Sequence, residues 1–156
     1  MAIEIERKFL VHKEMWNSAR INATCTAYKQ GYLQATSNCT VRVRQAGEKA
    51  FLTVKGKTDG MSRLEFEYEI PLSDLTGLLP LCSGPLVEKN RCTIVYETKL
   101  WEVDEFLGDN EGLIIAEIEL NSKDEVFTIP EWIEKEVTGD KRYYNSFLSV
   151  NPYKKW

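Results

Sequence analysis

The chain has 156 residues, of which 43% are hydrophobic and 28% are charged. These values are ordinary for a globular protein with a sizeable core, so we expect a single domain over residues 1–156. The net charge of −4, without a long run of one sign, disfavours nucleic acid and anionic membranes as partners. No stretch has the pattern of a signal peptide or a membrane span, so we expect a soluble, cytoplasmic protein.

The first segment in chain order, residues 3–11, begins a series of short alternating segments that predicts about eight β-strands. Gly47 with Glu48 is predicted to turn one hairpin, and residues 57–60 the next. The predicted strands cover residues 3–11, 30–34, 40–45, 50–55, 63–71, 86–96, 100–106 and 113–120.

The predicted helices are few and short. The first covers residues 13–20, and Ser73 is expected to cap a second over residues 74–79, before Pro80. Ser122 is expected to cap a third over residues 123–127, and Asp140 a last helix that continues through Val150. The predicted fold class is therefore mainly β (α+β), with helices at the margins.

The cysteines are scattered and form no CxxC pair, and His12 is the single histidine, which disfavours a zinc site. We expect all four thiols to be reduced, as in a cytosol. They are Cys25, Cys39, Cys82 and Cys92.

The charged residues recur at every second position along strand after strand. Residues at i and i+2 share one face of a strand, so each such pair points the same way, opposite an apolar face. Acids dominate some strands, whereas arginine and lysine dominate others. The residues of this charged face are Glu4, Glu6, Lys8, Arg42, Arg44, Lys55, Glu65, Glu67, Glu69, Lys89, Arg91, Glu102, Asp104, Glu117 and Glu119.

An antiparallel sheet with one wet outer face would give the same alternation. If instead the sheet closes into a barrel with the charged face inward, both signs of charge converge on one lumen. A barrel of about eight strands has room for side chains or one small ligand. Buried charges need partners, and a polyphosphate carrying a divalent ion such as Mg²⁺ or Mn²⁺ would pair with both signs.

The segment Glu4-Ile-Glu6-Arg-Lys8 resembles the ExExK signature of the CYTH superfamily, the triphosphate tunnel metalloenzymes. Further charged segments follow in the order of that family, and residues 136–145 resemble its compact bacterial, inorganic triphosphatase-like branch. The resemblance spans nearly the whole chain. The matching segments are residues 41–44, 53–55, 65–67, 88–91, 103–106 and 116–119.

The resemblance implies a closed antiparallel tunnel of about eight strands that takes a triphosphate into its lumen. It implies that Glu4, Glu6 and Glu119 hold a catalytic Mg²⁺ or Mn²⁺, and that Glu117 and Asp104 position metal or water. Glu65 and Glu67 would orient the basic residues or support a second metal. The residues implied to hold phosphate oxygens are Lys8, Arg42, Arg44, Lys55, Lys89 and Arg91.

The function implied is metal-dependent hydrolysis of a small triphosphate, most simply inorganic tripolyphosphate to pyrophosphate and phosphate. The same superfamily contains adenylate cyclases that make cyclic AMP from ATP, and thiamine triphosphate is a third candidate substrate. A polyphosphate- or nucleotide-binding module is the non-enzymatic alternative, although such a module gains nothing from carboxylates beside its ligand. The sequence leaves open a monomer or a homodimer.

Overall fold

The computed structural model describes residues 3–156, which contain nine β-strands and three short α-helices. Strands account for most of the regular structure, as predicted. The strands are β1 (Ile3–Val11), β2 (Thr24–Ala35), β3 (Cys39–Ala46), β4 (Lys49–Gly56), β5 (Ser62–Ile70), β6 (Ser83–Tyr96), β7 (Lys99–Phe106), β8 (Ile114–Glu119) and β9 (Ile133–Glu136). The helices are α1 (Lys13–Ala19), α2 (Leu75–Leu78) and α3 (Asn145–Val150).

The sheet closes on itself, which confirms the barrel prediction. The strands follow the order β5-β4-β3-β2-β6-β7-β8-β1, and an antiparallel pairing of β1 with β5 joins the two ends. The short strand β9 is an addition beside β1. Closure removes the two free edges and turns one face of every strand toward a common interior.

The edge of β1 that faces β5 is shared between two strands. Its first residues, Ile3–Ile5, pair with β5, whereas Phe9 and Val11 pair with β9. The residues between them bond to loops, because the Glu6 amide donates to a carbonyl of the β4–β5 loop and the Lys8 amide donates to Thr138. We call this edge of β1, from Ile3 to Val11, together with the segments that pair with it, the seam.

The main hydrophobic cluster lies outside the barrel, between β1, β7, β8 and the segments that cover them. Trp16 and Trp101 are fully buried in it and pack against Trp132. The packed outer face therefore consists of the apolar half of the alternation. No helix within residues 3–156 has the length and hydropathy needed to span a membrane.

Several local predictions are confirmed. Gly47 and Glu48 turn the β3–β4 hairpin, and Gly47 adopts φ +60°, a conformation that glycine reaches without steric cost. The helix predicted over residues 13–20 is α1. Asp140 does act as a cap, with its carboxylate accepting from the Arg142 amide, but the turn it caps is separated from α3 by the extended residue Tyr144.

One helix prediction is wrong, and the helix predicted over residues 74–79, which is present as α2, lacks its predicted cap. Residues 123–127 form no helix, because the Glu125 carboxylate accepts from the Asn121 amide and Phe127 packs against Trp101 from an irregular segment. Ser73 caps nothing, since it lies inside a 3-10 turn, Leu72–Asp74, that leads directly into α2.

Strand β2 is longer than the five residues predicted, because tertiary pairing extends it. It runs between β3 and β6 and pairs with both, with register shifts near Tyr32. Gly31 interrupts its sequence pattern for a packing reason, since a Cβ there would lie 2.7 Å from Cys82 Sγ and from Leu86 Cδ2.

The expectation that every cysteine is reduced is wrong for two of them. Cys25 on β2 and Cys92 on β6 are direct cross-strand partners and form a disulfide across 67 residues of sequence. Cys39 and Cys82 remain free thiols, as expected.

Candidate functional site

The barrel interior encloses a cavity of about 240 Å³, far more than the roughly 10–15 Å³ that one water molecule requires. Its walls are almost entirely polar. Twelve of the thirteen residues predicted for the site line it, and the thirteenth, Asp104, lies directly behind the wall. The twelve are Glu4, Glu6, Lys8, Arg42, Arg44, Lys55, Glu65, Glu67, Lys89, Arg91, Glu117 and Glu119.

Arginines of β3 form one basic wall of this cavity. Arg44 Nε donates to the buried Gln30 Oε1 at 3.0 Å, and Arg42 Nη2 donates to Thr53 Oγ1 at 3.2 Å. Burial, followed by the positive charges of Arg42 and Arg91, lowers the pKa of Arg44 to about 9. Arg42 Nε is buried and has no hydrogen-bond partner among residues 3–156. Crowded cations with an unused buried donor favour an anionic ligand.

Asp104 holds the two cations of β6. Lys89 Nζ donates to its Oδ2 at 2.7 Å, while Arg91 donates from Nε at 2.8 Å and from Nη2 at 2.9 Å. Burial alone would raise the pKa of Asp104, but Arg91 and Lys89 lower it to about 2, and burial lowers the pKa of Lys89 to about 7. Asp104 therefore accepts three hydrogen bonds that fix the positions of Lys89 and Arg91.

Carboxylates of β1 and β8 line the opposite wall. Glu6 is the direct cross-strand partner of Glu119, and Lys8 is the partner of Glu117. Burial, followed by the negative charge of Glu117, raises the pKa of Glu6 to about 8. Burial also opposes ionisation of Glu117. Three nearby cations nevertheless hold the pKa of Glu117 well below its usual range, and they are Lys8, which lies 3.6 Å away, Arg91 and Lys89.

At the seam, the Glu4 carboxylate meets two cations from the neighbouring strands. Lys55 Nζ lies 3.2 Å from its Oε1, and Arg63 Nε lies 3.4 Å from the same atom. Lys55 also contacts Glu65 at 3.0 Å. Burial outweighs these cations and raises the pKa of Glu4.

The acids suit a hard divalent ion that is only partly held by protein. Within residues 3–156 no three acidic, histidine or cysteine side chains converge closely enough to cage a metal. Mg²⁺ usually takes one or two carboxylates, and it completes its shell with water and substrate phosphates. Glu6 and Glu119 on one face, with Glu4 two residues along, fit that donor set. Burial first, and then the negative charge of Glu117, raise the pKa of Glu6, and a bound cation would lower it.

The cavity also contains residues that the site prediction did not include. Arg63 shares the inner face of β5 with Glu65, so the same alternation identifies it. Tyr28 lies between two guanidiniums, with its ring centre 4.9 Å from Arg44 and 5.2 Å from Arg91. The added lining residues are Tyr28, Tyr32, Thr40, Arg63, Glu102, Tyr144, Asn145 and Ser146.

Asn145 reaches the site from the C-terminal segment, far from the strands in sequence. Its Oδ1 accepts from Lys89 Nζ at 2.8 Å and from Gln30 Nε2 at 3.3 Å. No periodic pattern indicates this contact, although the residue lies inside the 136–145 segment that resembles the family.

A closed barrel that sets buried cations against carboxylates across a small polar lumen defines a polyanion-binding tunnel. The chain belongs to the CYTH domain family, whose model matches residues 2–144.

The comparisons with known proteins agree with this assignment. A protein of Acetivibrio thermocellus named inorganic triphosphatase is 50% identical over 99% of this chain and 97% of its own length. One of the same name from Nitrosomonas europaea is 37% identical over 95% and 97%. A solved structure described as the inorganic triphosphatase NE1496 is 33% identical, covers 96% of each chain and superposes with a TM-score of 0.66.

Proposed function

We propose that this protein hydrolyses inorganic tripolyphosphate to pyrophosphate and phosphate in a reaction that depends on Mg²⁺ or Mn²⁺. The observation that carries the proposal is the tunnel itself, in which the basic residues of β3 and β6 face the acids of β1 and β8 across about 240 Å³. Two relatives named inorganic triphosphatase, 50% and 37% identical along nearly the whole chain, support the substrate class.

The reaction asks the protein mainly to position and neutralise charge. Water forms a bond to a terminal phosphorus and releases a proton to solvent, the bridging P–O bond breaks, and pyrophosphate leaves with the electron pair. Arg42, Arg44 and Arg91 are assigned to bind phosphate oxygens. Gln30 holds Arg44 in position and Asp104 holds Arg91, while Thr53 accepts a hydrogen bond from Arg42. The polar wall does not need to reorganise as charge moves along the phosphate chain.

Divalent-ion binding is assigned to the acidic wall. Glu4, Glu6 and Glu119 would hold the ion, with Glu117 close by, and the ion would supply neutralisation of phosphate charge and polarisation of water. Glu65 and Glu67 are assigned to orient the basic residues, since Glu65 contacts Lys55 at 3.0 Å and Glu67 lies 3.7 Å from Arg42.

A second candidate substrate class is an organic triphosphate such as ATP. A larger cavity of about 680 Å³ adjoins the tunnel and is lined in part by apolar side chains, including Tyr32, Tyr144, Phe147 and Val150. A nucleoside or another aromatic group could occupy that space while its phosphates lie in the tunnel. We therefore test ATP, as the substrate of a hydrolase or of a cyclase, and thiamine triphosphate beside tripolyphosphate.

Product analysis tests the proposal. Purified protein with an untagged N-terminus is incubated with tripolyphosphate, ATP or thiamine triphosphate, each with Mg²⁺ and then Mn²⁺. We expect rapid metal-dependent phosphate release from tripolyphosphate and little reaction with the organic substrates. Glu4→Gln and Glu6→Gln should abolish turnover while the folded circular dichroism spectrum is retained. Cyclic AMP from ATP, or binding of tripolyphosphate without turnover in the presence of metal, would overturn the assignment.

A further inference from the structure

We propose that Arg63 is a further phosphate-binding residue of the tunnel, which contacts the substrate from the seam side. The inference rests on the proposed function, because it takes a triphosphate as the ligand. Arg63 is the first inward-facing residue of β5 and the direct cross-strand partner of Glu4. It is thus a cation on the acidic side of the cavity, apart from the arginines of β3 and β6.

The location of Arg63 gives its guanidinium access to three connected spaces. It lines the tunnel, the adjoining 680 Å³ cavity, and a small gap of about 20 Å³ between the β4–β5 loop and Gly139. Its side chain is 19% exposed, whereas that of Arg91 is 9% exposed. A phosphate chain that passes along the tunnel can therefore meet this guanidinium without displacing wall residues.

The hydrogen bonds of Arg63 leave most of its donors free. Its one side-chain hydrogen bond within residues 3–156 is the 3.4 Å bond from Nε to Glu4, and its terminal nitrogens donate to no group there. Arg91, by contrast, already donates from Nε and from both terminal nitrogens to Asp104 and Glu102, so only the second N–H of each terminal nitrogen remains for a phosphate oxygen. An arginine with a free planar edge facing a polyanion site is suited to bidentate binding of phosphate oxygens.

Charge balance at the seam favours the same role. Glu4 is shared between Lys55 and Arg63, and the shorter contact, 3.2 Å, belongs to Lys55. Lys55 therefore remains a partner of Glu4 when Arg63 turns toward a substrate, whether or not a divalent ion is bound. A phosphate oxygen of the bound substrate would then replace the Glu4 carboxylate as the partner of Arg63. Tyr144, with its ring centre 6.0 Å from the guanidinium, borders the same space.

The first test measures tripolyphosphate binding by calorimetry in EDTA, without turnover. Arg63→Gln should weaken binding roughly 10- to 100-fold, the loss expected for a charge-assisted hydrogen bond, and Arg63→Lys should retain part of it. The matched control is Arg20→Gln, which removes an arginine paired with Glu105 outside the barrel and should leave affinity unchanged. Unchanged affinity in Arg63→Gln, with a wild-type circular dichroism spectrum, would overturn the proposal.

A double-mutant cycle separates direct contact from an effect through Glu4. In the Glu4→Gln background, Arg63→Gln should still weaken tripolyphosphate binding by the same factor, because the guanidinium contacts phosphate itself. Loss of the effect in that background would overturn the proposal and make Arg63 a positioning residue for Glu4. If Arg63→Gln misfolds, the affinity of Arg63→Lys for tripolyphosphate is measured instead. That affinity should lie below the wild-type value and above the value expected for Arg63→Gln.

These measurements do not depend on turnover. If wild-type protein binds tripolyphosphate through Arg63 but does not hydrolyse it, the proposed activity fails and the role of Arg63 stands. If hydrolysis is confirmed and Arg63→Gln binds and turns over like wild type, the role of Arg63 fails alone.

Discussion

Glu6 shows how the tunnel sets the protonation of a single side chain. Its pKa of about 8, raised from 4.5 by burial and by the charge of Glu117, leaves the carboxyl largely protonated at pH 7 in the metal-free protein. The folded state then holds a proton that the unfolded chain has released. This side chain therefore lowers metal-free stability as the pH rises from about 4.5 to about 8.

We predict that Mg²⁺ binding releases this proton. A divalent ion binds the carboxylate form, so close to one proton should leave at pH 7 and almost none at pH 9. Calorimetric titration in two buffers of different ionisation enthalpy measures the number released. Glu6→Gln should bind Mg²⁺ more weakly and release no such proton; equal release from that variant would contradict the assignment.

Asp104 balances the positive charge of the two buried cations of β6, Lys89 and Arg91. We predict that Asp104→Ala loses about 3–5 kcal/mol of unfolding free energy at pH 7, because Lys89 and Arg91 are left without their buried partner. Urea denaturation measures the loss. The exposed Asp109, which makes no ion pair within residues 3–156, supplies the control variant Asp109→Ala, expected to change stability by under about 0.5 kcal/mol.

The pH dependence of this contribution follows from the lowered pKa of Asp104. Its carboxylate stabilises the fold fully above the unfolded value of 3.8, and the contribution disappears as the pH falls through about 2. The stability difference between wild type and Asp104→Ala should therefore narrow by about 2 kcal/mol as the pH falls through that value. A difference that persists unchanged at pH 2 would show that packing, and not charge, accounts for the loss.

Much of the site could be predicted because a strand alternates with a period of two. That rule places Glu4, Glu6 and Lys8 on one face, and applied to β5 it also reaches Arg63. It could not reveal that Asp104 lies behind the wall, since depth within the barrel depends on packing. Asn145 has no periodic signal at all, because an irregular C-terminal segment carries it to Lys89.

At the scale of elements, pairing decides what local sequence leaves open. The first half of β2 and all of β9 were missed, since each acquires strand geometry from its neighbours: β2 from β3 and β6, and β9 from the edge of β1. The helix predicted at 123–127 failed for the converse reason, as packing of Phe127 on the barrel overrides a capping signal.

The disulfide between β2 and β6 is an element-scale feature that cysteine spacing could not predict. We predict that Cys25→Ser lowers unfolding free energy by about 2–4 kcal/mol, because the covalent link closes 67 residues of the unfolded chain. The melting midpoint should fall by roughly 4–16 °C with the fold retained, since the ladder between the strands remains. The exposed position of Cys25 makes serine tolerable there.

Two control measurements test whether loss of the disulfide itself lowers the melting midpoint. Wild type treated with a reductant should melt like Cys25→Ser, and Cys39→Ser, which removes a free thiol, should melt like untreated wild type. If reductant and the Cys25 substitution leave the midpoint unchanged, the link contributes nothing to the stability of the folded barrel.

At the scale of the whole molecule, closure converts eight modest alternations into one concentrated electrostatic site. Six of the strands contribute two or three charged side chains that would be ordinary on an open, wet sheet, whereas β4 contributes only Lys55 and β2 contributes tyrosines. The pairing of β1 with β5 turns them toward a single lumen, where burial and like charge alter their pKa values. Closure could be inferred from sequence only with the family pattern, since alternation alone fits an open sheet equally well.

The buried cations of β3 and β6 repel one another in the ligand-free barrel, and a bound polyanion relieves this repulsion. We therefore predict that tripolyphosphate stabilises the protein even in EDTA. At a concentration about 100 times the dissociation constant, the gain is about 2.7 kcal/mol, or roughly 5–11 °C in melting midpoint. Binding should weaken as the pH rises through about 7, because burial lowers the pKa of Lys89 to that value and the side chain then loses its positive charge. Arg42→Gln should lose most of the shift, while Arg142→Gln, an exposed arginine paired with Asp140, should keep it. Equal shifts in both variants would place the binding on the outer surface instead of in the tunnel.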